Sequence, residues 1–228
     1  MKVFIFDMDG TFIDSMDYWN SCYNDWLLKK NKIVKDDLYE KLNSLKIDDG
    51  IEYIRSEYGI EDTKEEIEDQ IRGLLEYHYK NEFKIDPSAR IIFDKIKENG
   101  DKLVLATSTD RYLANVALER FDLKDIFDME VVGDETPLHK DNPEYFYRIM
   151  DYFDVSAEDC YVFEDSLYAI KGAKKAGMNT VSVTFQSLKE NIDEIVELTD
   201  YSCKNLTELR NKYLYGKIHQ KERKEKEK

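Results

Sequence analysis

The sequence predicts an α/β fold: a parallel sheet covered by helices on both faces, three layers in all, with one all-helical insertion. Three observations predict it. Short, continuous apolar runs rich in β-branched and aromatic residues recur along the chain, as expected for strands buried on both faces. Helical patterns of about ten residues separate them, the alternation of a parallel α/β sheet. One stretch, from Met16 to Phe83, contains no strand-like run at all.

The first run is Val3 to Phe6. Leu103–Ala106, Met129–Val132, Tyr161–Phe163 and Thr180–Phe185 read the same way. Residues 88–99 place Ile91, Ile92, Phe93 and Ile96 on one side, and Gly100 follows as a stop signal. Residues 110–120 open on Asp110, a good N-cap, and carry Leu113, Val116 and Ala117. Further helices are predicted over 143–153, 166–176 and 188–198, with Gly177 closing the second of these. Inside the helical stretch, Thr63 and Glu66 have capping-box spacing. The predicted division is therefore a core of residues 1–15 and 84–216, an inserted helical unit of residues 16–83, and a charged tail of residues 217–228. That tail holds six Lys/Arg against three Glu and reads as a solvated end.

Composition narrows the function. At 228 residues the chain is long enough to bury a core, and 42% hydrophobic content is ordinary for a globular protein. A formal net charge of −15 supplies no basic footprint for nucleic acid, so no nucleic-acid partner is expected. The same charge repels small phosphorylated molecules, so a phosphate site needs local positive charge or a metal. Cys22, Cys160 and Cys203 are odd in number and lack zinc-ligand spacing. A reducing, cytoplasmic location is expected. No stretch reaches the length of a membrane span, and the opening apolar run is too short for a signal segment.

The chemistry concentrates at predicted strand ends. Asp7 and Asp9 follow the first run, with Gly10 opening a turn. Ligands bind at the carboxyl ends of the strands of a parallel sheet. Two carboxylates at the end of a buried strand repel each other unless a cation or a shared proton is present. An EF-hand reading of Asp-x-Asp-Gly fails, because it puts Ile5 and Met16 at positions that need oxygen ligands. The second run ends in Thr107-Ser108-Thr109 before a helix N-terminus, a setting suited to phosphate. Lys140 precedes Asn142-Pro143-Glu144, and Glu164-Asp165-Ser166 gives a second acidic pair. Carboxylates without His or Cys select a hard cation, Mg²⁺.

These segments resemble the haloacid dehalogenase-like hydrolase superfamily from residue 1 to about 205. Asp7-Met-Asp-Gly-Thr11, Thr107, Lys140 and the run Phe163 to Met178 match its four motifs in order. The helical insertion resembles the cap of the β-phosphoglucomutase-like subgroup. The resemblance implies a Rossmann-like core and Mg²⁺-dependent attack on a small phosphorylated metabolite. Asp7 would be the nucleophile, forming an aspartyl-phosphate, and Asp9 the general acid and base. Asp7, Asp9 through its backbone carbonyl, Asp165 and the nearby Glu164 would hold the metal. Thr107, Ser108 and Lys140 would bind the phosphoryl group. The dehalogenase branch attacks carbon and lacks the second aspartate, so Asp9 implies attack on phosphorus.

A phosphatase acting on a sugar phosphate or nucleotide is the expected activity. A sugar phosphomutase of the same subgroup is the alternative, although the mutases' cap arginine has no match here. Lys46 and Arg55 are the candidate substrate-binding residues in the cap. A non-catalytic binding protein is a third reading, which the intact motifs disfavour.

Overall fold

The structure is a computed structural model, and it describes residues 1–43 and 47–211. In chain order the elements are β1 (Val3–Phe6), β2 (Ile13–Asp14), α1 (Met16–Trp19), α2 (Cys22–Lys29), α3 (Leu38–Asn43), α4 (Ile47–Tyr58) and α5 (Lys64–Asn81). There follow β3 (Lys84–Ile85), α6 (Ala89–Glu98), β4 (Lys102–Ala106), α7 (Arg111–Arg120), β5 (Met129–Val131) and α8 (Pro143–Phe153). The chain continues through β6 (Cys160–Glu164), α9 (Leu167–Lys175), β7 (Asn179–Val183), α10 (Ile192–Leu198), β8 (Tyr201–Cys203) and α11 (Leu206–Leu209).

Six strands form a sheet in the order β5-β4-β1-β6-β7-β8, and each adjacent pair is parallel. Side-chain alternation splits β1 between two apolar layers. Phe4 and Phe6 face the layer containing α6, α7 and α11, whereas Val3 and Ile5 face the layer of α8 and α9. This is the three-layer α/β arrangement that the continuous apolar runs predict. Aromatic packing fixes the first layer: Phe6 stacks on Phe163 at 4.1 Å and meets the edge of Phe93 at 4.9 Å. Phe12, just beyond β1, packs against the same Phe93 at 5.4 Å.

Two features went unpredicted. Strand β8 is short, polar and only partly buried, so it carries no apolar run. Strands β2 and β3 are two residues each and pair antiparallel, Ile13 with Ile85 and Asp14 with Lys84. The predicted strand Thr180–Phe185 stops at Val183. The predicted helix over 188–198 opens with a 3₁₀ turn, Lys189–Asn191, before α10.

The helices α1 to α5 lie between β2 and β3 in the chain. They add Trp26, Leu27, Ile54, Ile67 and Tyr79 to the apolar layer that Phe4 and Phe6 begin. Helix α5 starts with the expected capping box: Glu66 N donates to Thr63 Oγ1, and Thr63 N donates to the Glu66 carboxylate. Its outer length docks on α7 through Arg72 with Asp110 at 3.5 Å and Tyr112 with Glu76 at 2.6 Å. The tail, residues 217–228, lies outside the described residues.

Phe93 is fully buried and touches Phe6, Phe12 and Phe127. Phe93→Ala removes the ring that joins α6 to the sheet, leaving a cavity that close packing cannot refill. Urea unfolding should show a loss of about 3–5 kcal/mol.

Candidate functional site

The strand order brings the candidate residues together. The chain leaves β1 to form β4 and β5 on one side, then returns to form β6 on the other. Such a reversal opens a crevice at the carboxyl end of the central strand. Asp7 follows β1, Thr107 follows β4, and Glu164 and Asp165 end β6. Asp7 N still donates to Phe163 O at 2.9 Å, so the nucleophile candidate is held in register with the sheet.

Lys140 enters from the loop between β5 and α8. Its ammonium donates to Asp7 Oδ1 at 2.6 Å, to Ala106 O at 3.1 Å and to Glu164 Oε2 at 3.1 Å. It is buried, as are both carboxylates. Close backbone contact with α9 holds this loop in place. A Cβ at Gly172 would overlap the carbonyl oxygen of Lys140, so a residue without a side chain is required there. Gly10 has the same requirement: its φ is +82°, and a Cβ would overlap the Asp165 carboxylate.

Asp7, Glu164 and Asp165 each offer a carboxylate oxygen within 4.8 Å of the others, and all three are buried. Three carboxylates face a single ammonium. Burial, then the Glu164 and Asp7 charges, push the Asp165 pKa well above its ordinary value, against the pull of Lys140. Burial, then Asp7, also raise Glu164. Burial lowers the Lys140 pKa, but Asp7 and Glu164 outweigh it and hold the ammonium charged. An all-oxygen cluster with excess negative charge fits a hard divalent cation, which would relieve the repulsion.

Asp9 lies apart from this cluster, in a shell of hydroxyls. Ser15 Oγ donates to Oδ1 at 2.6 Å, Tyr79 OH donates to Oδ1 at 2.5 Å, and Thr109 Oγ1 donates to Oδ2 at 2.7 Å. Burial raises the Asp9 pKa and the Asp7 charge adds to it, whereas the three hydroxyls pull it down; the net direction is up. Thr11 Oγ1 donates to Asp7 Oδ2 at 3.1 Å.

Thr107 is buried, and its Oγ1 accepts from Thr109 N at 3.1 Å, tightening the turn after β4. Ser108 is exposed at the mouth, 3.4 Å from Tyr168 OH. A cavity of about 450 Å³ opens beside Asp165, lined by Met16, Asn20, Ser166, Tyr168 and Gln186 among others. Arg55 is not brought to this cluster by the contacts it makes. Its guanidinium donates to Asp62 O at 2.9 Å and to Glu52 at 2.8 Å, both within the helical segment. Lys46 lies outside the described residues.

Sequence reasoning missed Tyr79, Thr109 as a partner of Asp9, and Gln186. Gln186 Oε1 accepts from Ser15 N at 2.9 Å and from Met16 N at 3.0 Å, and its amide donates to Asp14. None of these carries a local signal. A tyrosine at helical spacing reads as core, and a glutamine beyond a strand reads as surface.

The raised carboxyls make stability depend on pH. A carboxyl whose pKa rises on folding keeps a proton that the unfolded chain has lost, so stability falls as pH rises above about 4. Burial lowers the His78 pKa, which works in the opposite sense, but that effect is complete above about pH 6.5. The metal-free protein should therefore melt at a lower temperature at pH 8 than at pH 6.5. Added Mg²⁺ should raise the melting temperature more at pH 8, where fewer protons compete for the candidate carboxylate ligands. A melting temperature unchanged by either variable would mean that the cluster is balanced without a cation.

Comparison with known proteins identifies the family. A family model described as haloacid dehalogenase-like hydrolase matches residues 4–183. The phosphorylated carbohydrates phosphatase of Thermotoga maritima is 28% identical over 190 residues, covering 83% of this chain and 88% of that protein. A solved Thermotoga maritima structure, described as a candidate β-phosphoglucomutase, superposes with a TM-score of 0.74 at 27% identity, over 90% of this chain and 94% of that one. YfnB of Bacillus subtilis, solved bound to magnesium, shares the fold with a TM-score of 0.71 at 21% identity, over 92% of this chain and 97% of that one. With four motifs folded into one crevice and a family model spanning most of its length, the chain belongs to the haloacid dehalogenase-like hydrolases.

Proposed function

We propose that this protein is a Mg²⁺-dependent phosphatase that hydrolyses a small phosphomonoester, a sugar phosphate by preference, through an aspartyl-phosphate on Asp7. The observation that carries this reading is the pairing of Asp7 with Asp9. One carboxylate is held by the Lys140 ammonium, and the other is held among hydroxyls with its pKa raised. A carboxylate held by an ammonium beside a carboxyl whose pKa is raised suits a nucleophile paired with an acid.

Asp7 attacks phosphorus, and the bond from phosphorus to the leaving oxygen breaks. Asp9 gives its proton to that oxygen. Water then attacks the phosphorus of the aspartyl-phosphate, its proton passes to Asp9, and Asp7 is released with inorganic phosphate. Lys140 holds Asp7 in place beforehand and lies where phosphoryl charge develops, with Thr107 and Ser108 at the end of the neighbouring strand. Asp7, Asp165 and the Asp9 backbone carbonyl would hold Mg²⁺, with Glu164 beside them. The bound metal would supply charge neutralisation for an anionic substrate approaching an acidic protein. The helical segment, residues 16–83, acts as a cap over residues 1–15 and 84–216, and the cavity beside Asp165 lies between the two. The named activity of the Thermotoga relative supports a phosphorylated carbohydrate as substrate. A cytoplasmic setting suits that substrate.

A mutase reading has support from the Thermotoga structure described as a candidate β-phosphoglucomutase. A coupled assay with β-glucose 1-phosphate separates the two, since a mutase returns isomerised sugar phosphate and a phosphatase returns free phosphate.

The direct test is turnover of p-nitrophenyl phosphate and a sugar phosphate panel with and without Mg²⁺. Wild type should release phosphate only with the metal, and Asp7→Asn should lower kcat by at least about 10⁴-fold. Equal inactivity of wild type and Asp7→Asn across the panel would overturn the phosphatase reading. Lys140→Ala should lower kcat by roughly 10²- to 10³-fold, the scale of losing one charge-stabilising donor.

A further inference from the structure

Tyr79 is fully buried at the last turn of α5, yet its hydroxyl reaches Asp9 across the boundary between the helical segment and the sheet. Trp19, at the end of α1, donates its indole N–H to that same hydroxyl at 3.1 Å. An indole N–H can only donate, so the Tyr79 oxygen must accept there, and its proton is directed at Asp9 Oδ1. Ser15 Oγ donates to Oδ1 as well, at 2.6 Å. Both acceptor directions of Oδ1 are thereby filled. Among the described residues, Oδ2 has one protein partner, Thr109 Oγ1, a hydroxyl that can donate or accept.

We propose that Trp19 and Tyr79 are positioning residues that fix Asp9 Oδ2 as the oxygen that carries and delivers the catalytic proton. The inference rests on the phosphatase reading above and deepens it. While Asp9 is protonated, the Oδ2 proton points toward the Thr109 hydroxyl. When the substrate's leaving oxygen arrives, it takes that proton as the bond to phosphorus breaks. Asp9 is left as a carboxylate whose Oδ1 still accepts from Tyr79 and Ser15. Both relay residues belong to the helical segment, so the acid is aimed only when that segment is seated on the sheet. A displaced segment would leave Ser15 on Oδ1 but open the acceptor direction that Tyr79 fills, and the proton would no longer be confined to Oδ2.

Phenyl phosphate and p-nitrophenyl phosphate test this, because they share a ring and differ in how much the leaving oxygen needs a proton. The ratio of their kcat/KM values reports the acid step, which ends with release of the phenol. Tyr79→Phe should lower kcat/KM at least about fivefold more for phenyl phosphate than for p-nitrophenyl phosphate, a fraction of the full general-acid contribution. Trp19→Phe keeps the Tyr79 hydroxyl but lets it turn, and should shift the ratio in the same direction by less. It also keeps the test decisive if Tyr79→Phe does not fold. Equal losses on both substrates for Trp19→Phe, or no loss for either variant, would overturn the proposal. Failure of the phosphatase reading is distinguishable, since wild type and Asp7→Asn would then be equally inactive on both probes.

Discussion

The triple contact of the Lys140 ammonium with Asp7, Glu164 and the Ala106 carbonyl is the interaction on which the rest of the site depends. Without it, acidic groups from two strand ends would meet in a buried crevice with no protein cation among them. The cost of desolvating such charges is several kcal/mol for each ion. The fold meets that cost by bringing one lysine from a loop far along the chain and seating the loop on a helix. Gly172 is what permits the seating, because any side chain there would strike the Lys140 backbone. A local choice of residue in α9 thus decides the electrostatics at the end of β1.

The two aspartates of the opening motif show how environment separates chemically identical groups. Asp7 accepts from a charged donor and from Thr11. Asp9, two residues on, accepts only from neutral hydroxyls within the contacts described, and burial lifts its pKa. The Gly10 turn that follows has a positive φ and leaves space for the Asp165 carboxylate. Asp7 meets the lysine at the sheet, whereas Asp9 meets Tyr79 from the helical segment.

Among the described residues, the helical segment has no separate apolar core of its own. Its buried residues continue the layer built on Phe4 and Phe6. Tyr79 belongs to that layer through its ring and to the site through its hydroxyl, an amphipathic residue serving packing at one end and polarity at the other. Gln186 clamps Ser15 and Met16 where the chain enters α1, so the segment's position and the Asp9 environment are joined at the start of α1 and at the last turn of α5.

By itself the sequence determined what is local. Continuous apolar runs marked five of the six sheet strands, because a strand buried on both faces has no other way to read. Motif spacing placed Asp7, Asp9, Thr107, Glu164 and Asp165 at strand ends and Lys140 just ahead of a helix, because a parallel sheet gathers ligand residues at one edge. Strand β8 and the β2–β3 pair were illegible, being too short and too polar to leave a pattern. The tertiary structure alone decided which groups touch. It put Tyr79 on Asp9 across 70 positions of sequence, turned Arg55 to Asp62 and Glu52, and set Thr109 rather than Ser108 beside the acid. Residue type and spacing specify what a side chain can donate or accept; only the packing of distant elements specifies to whom.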